Sequence, residues 1–81
     1  MVTEEQFLQA LSEMLGGAAF SMETQLLDVD AWDSFSKVDF LALAEEQYGI
    51  VLPKFDVAVA ETVRDLYALT EKALAAKENS K

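Results

Sequence analysis

The sequence predicts an all-α domain, a four-helix bundle with three main helices and one short one. Three features predict it. Apolar residues recur at helical spacing in three separate stretches. Each of these stretches opens on a capping residue, Thr3, Asp33 or Thr62. The first two close on glycine, at Gly16-Gly17 and at Gly49.

Helix one is the plainest. Thr3 caps it, and Gln6 three residues later completes a capping box. Phe7, Leu8, Leu11, Met14 and Leu15 form one buried stripe. A long connection, 18–33, follows. Phe20, Leu26, Leu27, Val29 and Trp32 are its expected pins to the core, while Glu23, Asp28, Asp30 and Asp33 are expected to face water. Helix two is predicted over 34–48, with Asp33 as N-cap and Gly49 as the residue past its end. Ile50-Val51-Leu52 reads as an extended piece, and Pro53 blocks any helix from running through it. A short helix is expected over 55–59. Helix four starts at Thr62, with Asp65 in its first turn and Val63, Leu66, Tyr67, Thr70, Ala73 and Leu74 on its inner face. Residues 77–81 read as a polar, frayed tail.

The composition narrows the chemistry. Fifteen acids against six bases give a net charge of −9. Nucleic acid is therefore not an expected partner, because phosphate binding needs clustered Lys and Arg. Partners with basic patches are expected, since opposite fields steer encounter. Histidine and cysteine are both absent, which removes the commonest general base, the thiol nucleophile and the usual zinc ligands. No metal site is expected: Asp28-x-Asp30 has calcium-loop spacing, but Trp32, Asp33 and Asp39 break the pattern. The N-terminus is acidic where an export signal is basic, and no apolar run reaches membrane-spanning length. A cytoplasmic monomer is the expectation.

The chemistry concentrates where helix two begins. Ser34 follows Asp33 at a helix entrance, where unpaired N–H groups and a partial positive charge favour a phosphate ester. Asp33 can hold a divalent cation while such an ester forms. Ser36 is the fallback hydroxyl. Along helix two, Phe40, Leu41, Ala44 and Tyr48 share one arc, the expected core side. Phe35, Val38 and Ala42 lie near the opposite side, among or beside Asp39, Glu45 and Glu46. That second arc is either buried under the long connection or a docking face. Lys37 lies close to the core arc.

Asp33-Ser34-Phe35, Val38-Asp39-Phe40, Leu43 to Ile50 and Leu52-Pro53 resemble the acyl carrier proteins. Thr62-Val63-Arg64-Asp65-Leu66 resembles the start of that family's last helix. The resemblance implies a single carrier domain over 1–76, a flexible tail over 77–81 and no catalytic residues. It implies a 4′-phosphopantetheine arm from coenzyme A on Ser34, with Asp33 helping a phosphopantetheinyl transferase place its metal ion. It implies a partner face of Phe35, Val38, Asp39, Ala42, Glu45 and Glu46. Expected partners are that transferase and acyl-activating, condensing or acyl-transfer enzymes with basic docking patches. Fatty-acid, polyketide or specialised biosynthesis is the implied setting. An aminoacyl, peptidyl or D-alanyl carrier, or an unmodified interaction module of the same fold, are the alternatives. The chain departs from the family pattern at Asp30 and Ala31, where glycine is common, with bulky Trp32 before Asp33, and at Phe35, Lys37 and Ala42.

Overall fold

Helix α1 (Glu4–Met14) begins where the sequence places it, on a reciprocal pair of bonds. The Gln6 N–H donates to Thr3 Oγ1 at 3.1 Å, and the Thr3 N–H donates to Gln6 Oε1 at 3.1 Å. Two donors that no helical carbonyl reaches are thereby satisfied. In this computed structural model, which describes residues 2–79, α1 is followed by a long connection holding one 3-10 turn, Leu26–Asp28. Helix α2 (Ser34–Leu43) runs on through a wider π turn, Ala44–Tyr48. Helix α3 (Lys54–Val59) and helix α4 (Val63–Asn79) complete the bundle. The expected architecture of three main helices and one short one is present. The expected tail, 77–81, begins inside α4, which continues through Asn79; Ser80 and Lys81 lie outside the described residues.

The core fills the space between α1, α2 and α4. Phe7, Leu11, Leu26, Phe40, Ala44, Val57, Val63 and Leu66 are all buried. On α4 the buried set is Val63, Leu66, Tyr67 and Thr70, with Ala73 and Leu74 half-buried behind them, as the periodicity predicts. The Thr70 hydroxyl donates back to the Leu66 carbonyl at 3.0 Å, so its burial leaves no orphan group. Tyr67 places its hydroxyl 2.8 Å from the Val2 carbonyl, tying the N-terminal segment to α4. Val2 and Met22 are buried core members that the helical periodicities did not reveal.

The long connection is ordered by the segment that leads into α4. The Leu26 N–H donates to the Glu61 carbonyl at 2.8 Å, Val63 N–H to Thr24 at 3.1 Å and Arg64 N–H to Met22 at 2.8 Å. Arg64 then grips Glu23 through Nε at 3.1 Å and Nη2 at 2.9 Å, and lies 3.5 Å from Glu4 of α1. Leu27 does not pin the connection: it is 94% exposed. In a 3-10 turn each residue rotates by about a third of a circle, so Leu26 pointing inward sends Leu27 out.

The end of α2 depends on glycine. Gly49 has φ +66°, in the left-handed region, and its N–H reaches back to the carbonyls of Ala44 and Glu45. The Ile50 N–H follows to Ala44 at 3.3 Å. The Lys77 ammonium of α4 occupies the place a β-carbon at Gly49 would take. Gly49→Ala is therefore expected to lower stability by about 1–2 kcal/mol, the usual left-handed penalty for an L residue. Urea denaturation checks this, and Lys77→Ala in the same background separates the clash from the backbone strain.

Candidate functional site

The start of α2 is fixed by two side chains. Asp33 is extended (φ −123°, ψ −170°), and its carbonyl accepts the first helical bond from the Lys37 N–H at 3.1 Å. Its Oδ1 accepts from the Ser36 N–H at 2.9 Å. The Ser36 hydroxyl lies between this same Oδ1, at 3.1 Å, and the Ala31 carbonyl, to which it donates. One hydroxyl thus holds the cap and the preceding loop together. Ser36 is buried as a result, and it is not a free hydroxyl.

Ser34 has the opposite environment. It is the first residue of α2, it is exposed, and among the described residues no side chain or carbonyl holds its oxygen. The N–H groups of Ser34 and Phe35 belong to the first turn, which has no helical acceptors for them. An anionic ester on Ser34 would sit beside those donors and the positive end of the helix dipole. Lys37, one turn along the same side, is half-buried. These features fit a phosphate-linked group on Ser34. Asp33 opposes it by charge at close range. Among the described residues no three acidic, histidine or cysteine side chains converge as a metal site.

The outward arc of α2 is a surface and not a second core. Phe35 is 79% exposed and Val38 60%, and Ala42, Asp39, Glu45 and Glu46 are exposed as well. The long connection covers none of them. Ser36, Phe40 and Ala44 form the buried stripe, with Leu41 and Tyr48 half-buried at its edges. The structure brings Ser34, Phe35, Val38, Asp39, Ala42, Glu45 and Glu46 onto one exposed side of a single helix. It adds residues that helix-two reasoning did not include. Phe55 and Val59, four apart on α3, are 73% and 54% exposed, and α3 packs beside α2. The signal was present: Phe55, Val57, Ala58 and Val59 fall within five positions, and a helix so short cannot bury every side of itself.

Comparison with known proteins follows the same line. No family model matches the chain, and no curated protein matches it. Among solved structures, the chain is similar to the acetyl actinorhodin acyl carrier protein from Streptomyces coelicolor, at 27% identity and a TM-score of 0.79, with 94% of each chain covered. It is also similar to the holo acyl carrier protein from Geobacter metallireducens, at 27% identity and a TM-score of 0.80, covering 100% of this chain and 97% of that one. The fold is that of an acyl carrier protein. The likeness covers nearly the whole of both chains. In this acyl-carrier-protein fold Trp32 stands before the cap, Phe35 follows the serine, and α3 exposes Phe55 and Val59.

The electrostatics of the cap give a pH dependence. The Ser36 N–H, followed by the Ser36 hydroxyl, holds the Asp33 carboxyl below the ordinary aspartate range. A group depressed in the folded state contributes stability that is present above its unfolded value and is lost as pH falls through the folded one. Asparagine caps a helix about as well as aspartate but does not titrate. Wild type is expected to exceed Asp33→Asn in unfolding free energy at neutral pH, with the gap closing below about pH 4. Urea melts at matched ionic strength across that range measure it; a gap that stays constant excludes the capping carboxylate as its source.

Proposed function

We propose that this protein is a carrier that holds an acyl intermediate as a thioester on a 4′-phosphopantetheine arm attached to Ser34, and that it delivers the intermediate to partner enzymes without catalysing a step itself. The single observation that carries this reading is the contrast between two hydroxyls two residues apart. Ser36 is buried and bonded, whereas Ser34 is exposed at the head of α2 and its hydroxyl has no partner among the described residues. The likeness in structure to acyl carrier proteins, one of them in holo form, supports it.

The chain has no cysteine, so a thioester requires a thiol from elsewhere, and the arm's terminal thiol supplies it. In attachment the Ser34 oxygen attacks the pantetheine-bearing phosphorus of coenzyme A. A new P–O bond forms, the pyrophosphate bond breaks, and adenosine 3′,5′-bisphosphate leaves. The serine proton passes to a base of the phosphopantetheinyl transferase, because this chain offers no histidine. Asp33 has Oδ1 engaged by Ser36 and contributes one carboxylate towards the transferase's metal ion. The tether then needs an unobstructed path outward, which the exposure of Ser34 gives.

Phe35, Val38 and Ala42 supply apolar contact on the partner face, and Asp39, Glu45 and Glu46 supply steering charge. Partners are enzymes with basic docking patches, beginning with the transferase.

Two measurements test this. Intact mass after co-expression with a broad-specificity transferase should rise by one phosphopantetheine in wild type and in Ser36→Ala, and by nothing in Ser34→Ala; a gain that survives Ser34→Ala overturns the assignment. Reversing charge in Asp39→Lys with Glu45→Lys should lower the transferase's kcat/KM about tenfold at low salt, with the deficit shrinking as salt rises, because exposed charges are screened beyond the Debye length. A deficit independent of salt would assign those positions to packing and not to steering.

A further inference from the structure

Four aromatic rings meet in sequence inside the bundle. Phe40, six residues along α2, is fully buried. It meets Phe7 of α1 edge to face at 5.9 Å between ring centres and Trp32 of the connection at 6.1 Å. Phe7 meets Tyr67 of α4 at 5.2 Å. The four rings form a chain across the bundle, from the loop before α2 to α4. Trp32 is held over it, because the neighbouring Ala31 carbonyl takes the Ser36 hydroxyl. The loop is thus held immediately before the helix that begins at Ser34.

Three open grooves are lined by none of these four rings. One of about 480 Å³ runs between Gly49-Ile50-Val51 and α4, bordered by Lys72 and Lys77. Another of about 370 Å³ lies between Val2, Gln6, Gln47 and Leu74. Both sit beyond the far end of α2, a helix of about 15 Å at 1.5 Å per residue. A third, of about 350 Å³, lies between Val59 and Ala60 at the end of α3 and Ala68 and Leu69 of α4. A long alkyl chain on the arm gains by leaving water. To enter the bundle beside its own attachment point it would have to break interlocked ring contacts in a close-packed core.

We propose that Phe40, wedged between Phe7 and Trp32, is a specificity-determining residue that restricts the cargo to short or polar acyl groups, which remain outside the bundle. This rests on the carrier reading of Ser34. It gives the departure at Trp32 a role: its ring closes the interior at the loop. Phe35 and Val38, exposed beside Ser34, are what a short cargo meets instead.

The test loads Ser34 with an acetyl or a decanoyl arm, using a broad-specificity transferase with acetyl-coenzyme A or decanoyl-coenzyme A. Hydrolysis of each thioester is followed at fixed pH and divided by that of the free acyl-coenzyme A. A chain that is nine-tenths sequestered reacts about tenfold more slowly, because only the exposed fraction is attacked. The expected result is that acetyl and decanoyl forms give the same normalised rate to within about twofold, with equal melting temperatures. Phe40→Leu keeps the position apolar while removing the ring, and Trp32→Ala removes the loop's ring at a position outside any helix. At least one of them should protect the decanoyl arm several-fold while leaving the acetyl arm unchanged. Protection of the decanoyl arm in wild type overturns the inference, and so does absence of protection in both variants. Failure of either arm to add mass at Ser34 in wild type is a different result: it removes the carrier reading itself, and the cargo restriction with it.

Discussion

The bond from the Ser36 N–H to the Asp33 carboxylate decides where α2 begins, and with that it decides which hydroxyl is available. In a helix, successive residues turn by about 100°, so side chains two apart point to nearly opposite sides. An N-cap carboxylate engages the third helical residue, which must then lie under the cap. Ser36 takes that place and is committed to structure. The first residue, Ser34, is left outside by the same geometry. The exposed serine is thus a consequence of the cap. A helix starting one residue earlier or later would present a different side chain at its head.

That cap depends on the loop behind it. Residues 18–33 are long for a helix–helix connection, and an unpinned loop of this length would leave Ala31 and Asp33 without fixed positions. Backbone bonds from Met22, Thr24 and Leu26 to residues 61–64 hold it. Arg64, the chain's sole arginine, closes the same seam through Glu23 and Glu4. These ion pairs are half-exposed, so they orient more than they stabilise. The stabilisation comes from Leu26, Phe7 and Phe40 beneath. Cap, seam and aromatic chain together make the head of α2 a rigid platform.

Much of this was legible in the sequence because it is local. The Thr3-Gln6 box, the stripes of α1 and α4 and the Asp33 cap need only neighbours in the chain. The two arcs of α2 were legible as arcs. Which one faced solvent was not, because that depends on whether the connection folds over Phe35 and Val38, a question of tertiary packing. The same limit explains Leu27, where a 3-10 turn changed the direction of a side chain that hydropathy alone would bury. It also explains Met22 and Val2, single apolar residues with no period to announce them. The burial of Ser36 was hidden for another reason: its partner, the Ala31 carbonyl, belongs to the backbone and leaves no trace in residue identity.

The exposed face poses a physical problem that its charge answers. Phe35, Val38, Phe55 and Val59 leave apolar surface in water on two adjacent helices, and such patches favour association between copies. Here each copy carries a charge of −9, and Asp39, Glu45 and Glu46 stand on the same helix as the patch. Two such faces repel before they touch. A surface of opposite sign is attracted across the same distance and meets apolar contact only on arrival. On the carrier function proposed above, the acids would select which surface reaches the phenylalanines, and the phenylalanines would hold what the acids admit. Neither half works alone: apolar residues without the charge would pair with themselves, and charge without apolar residues would attract many partners and retain none.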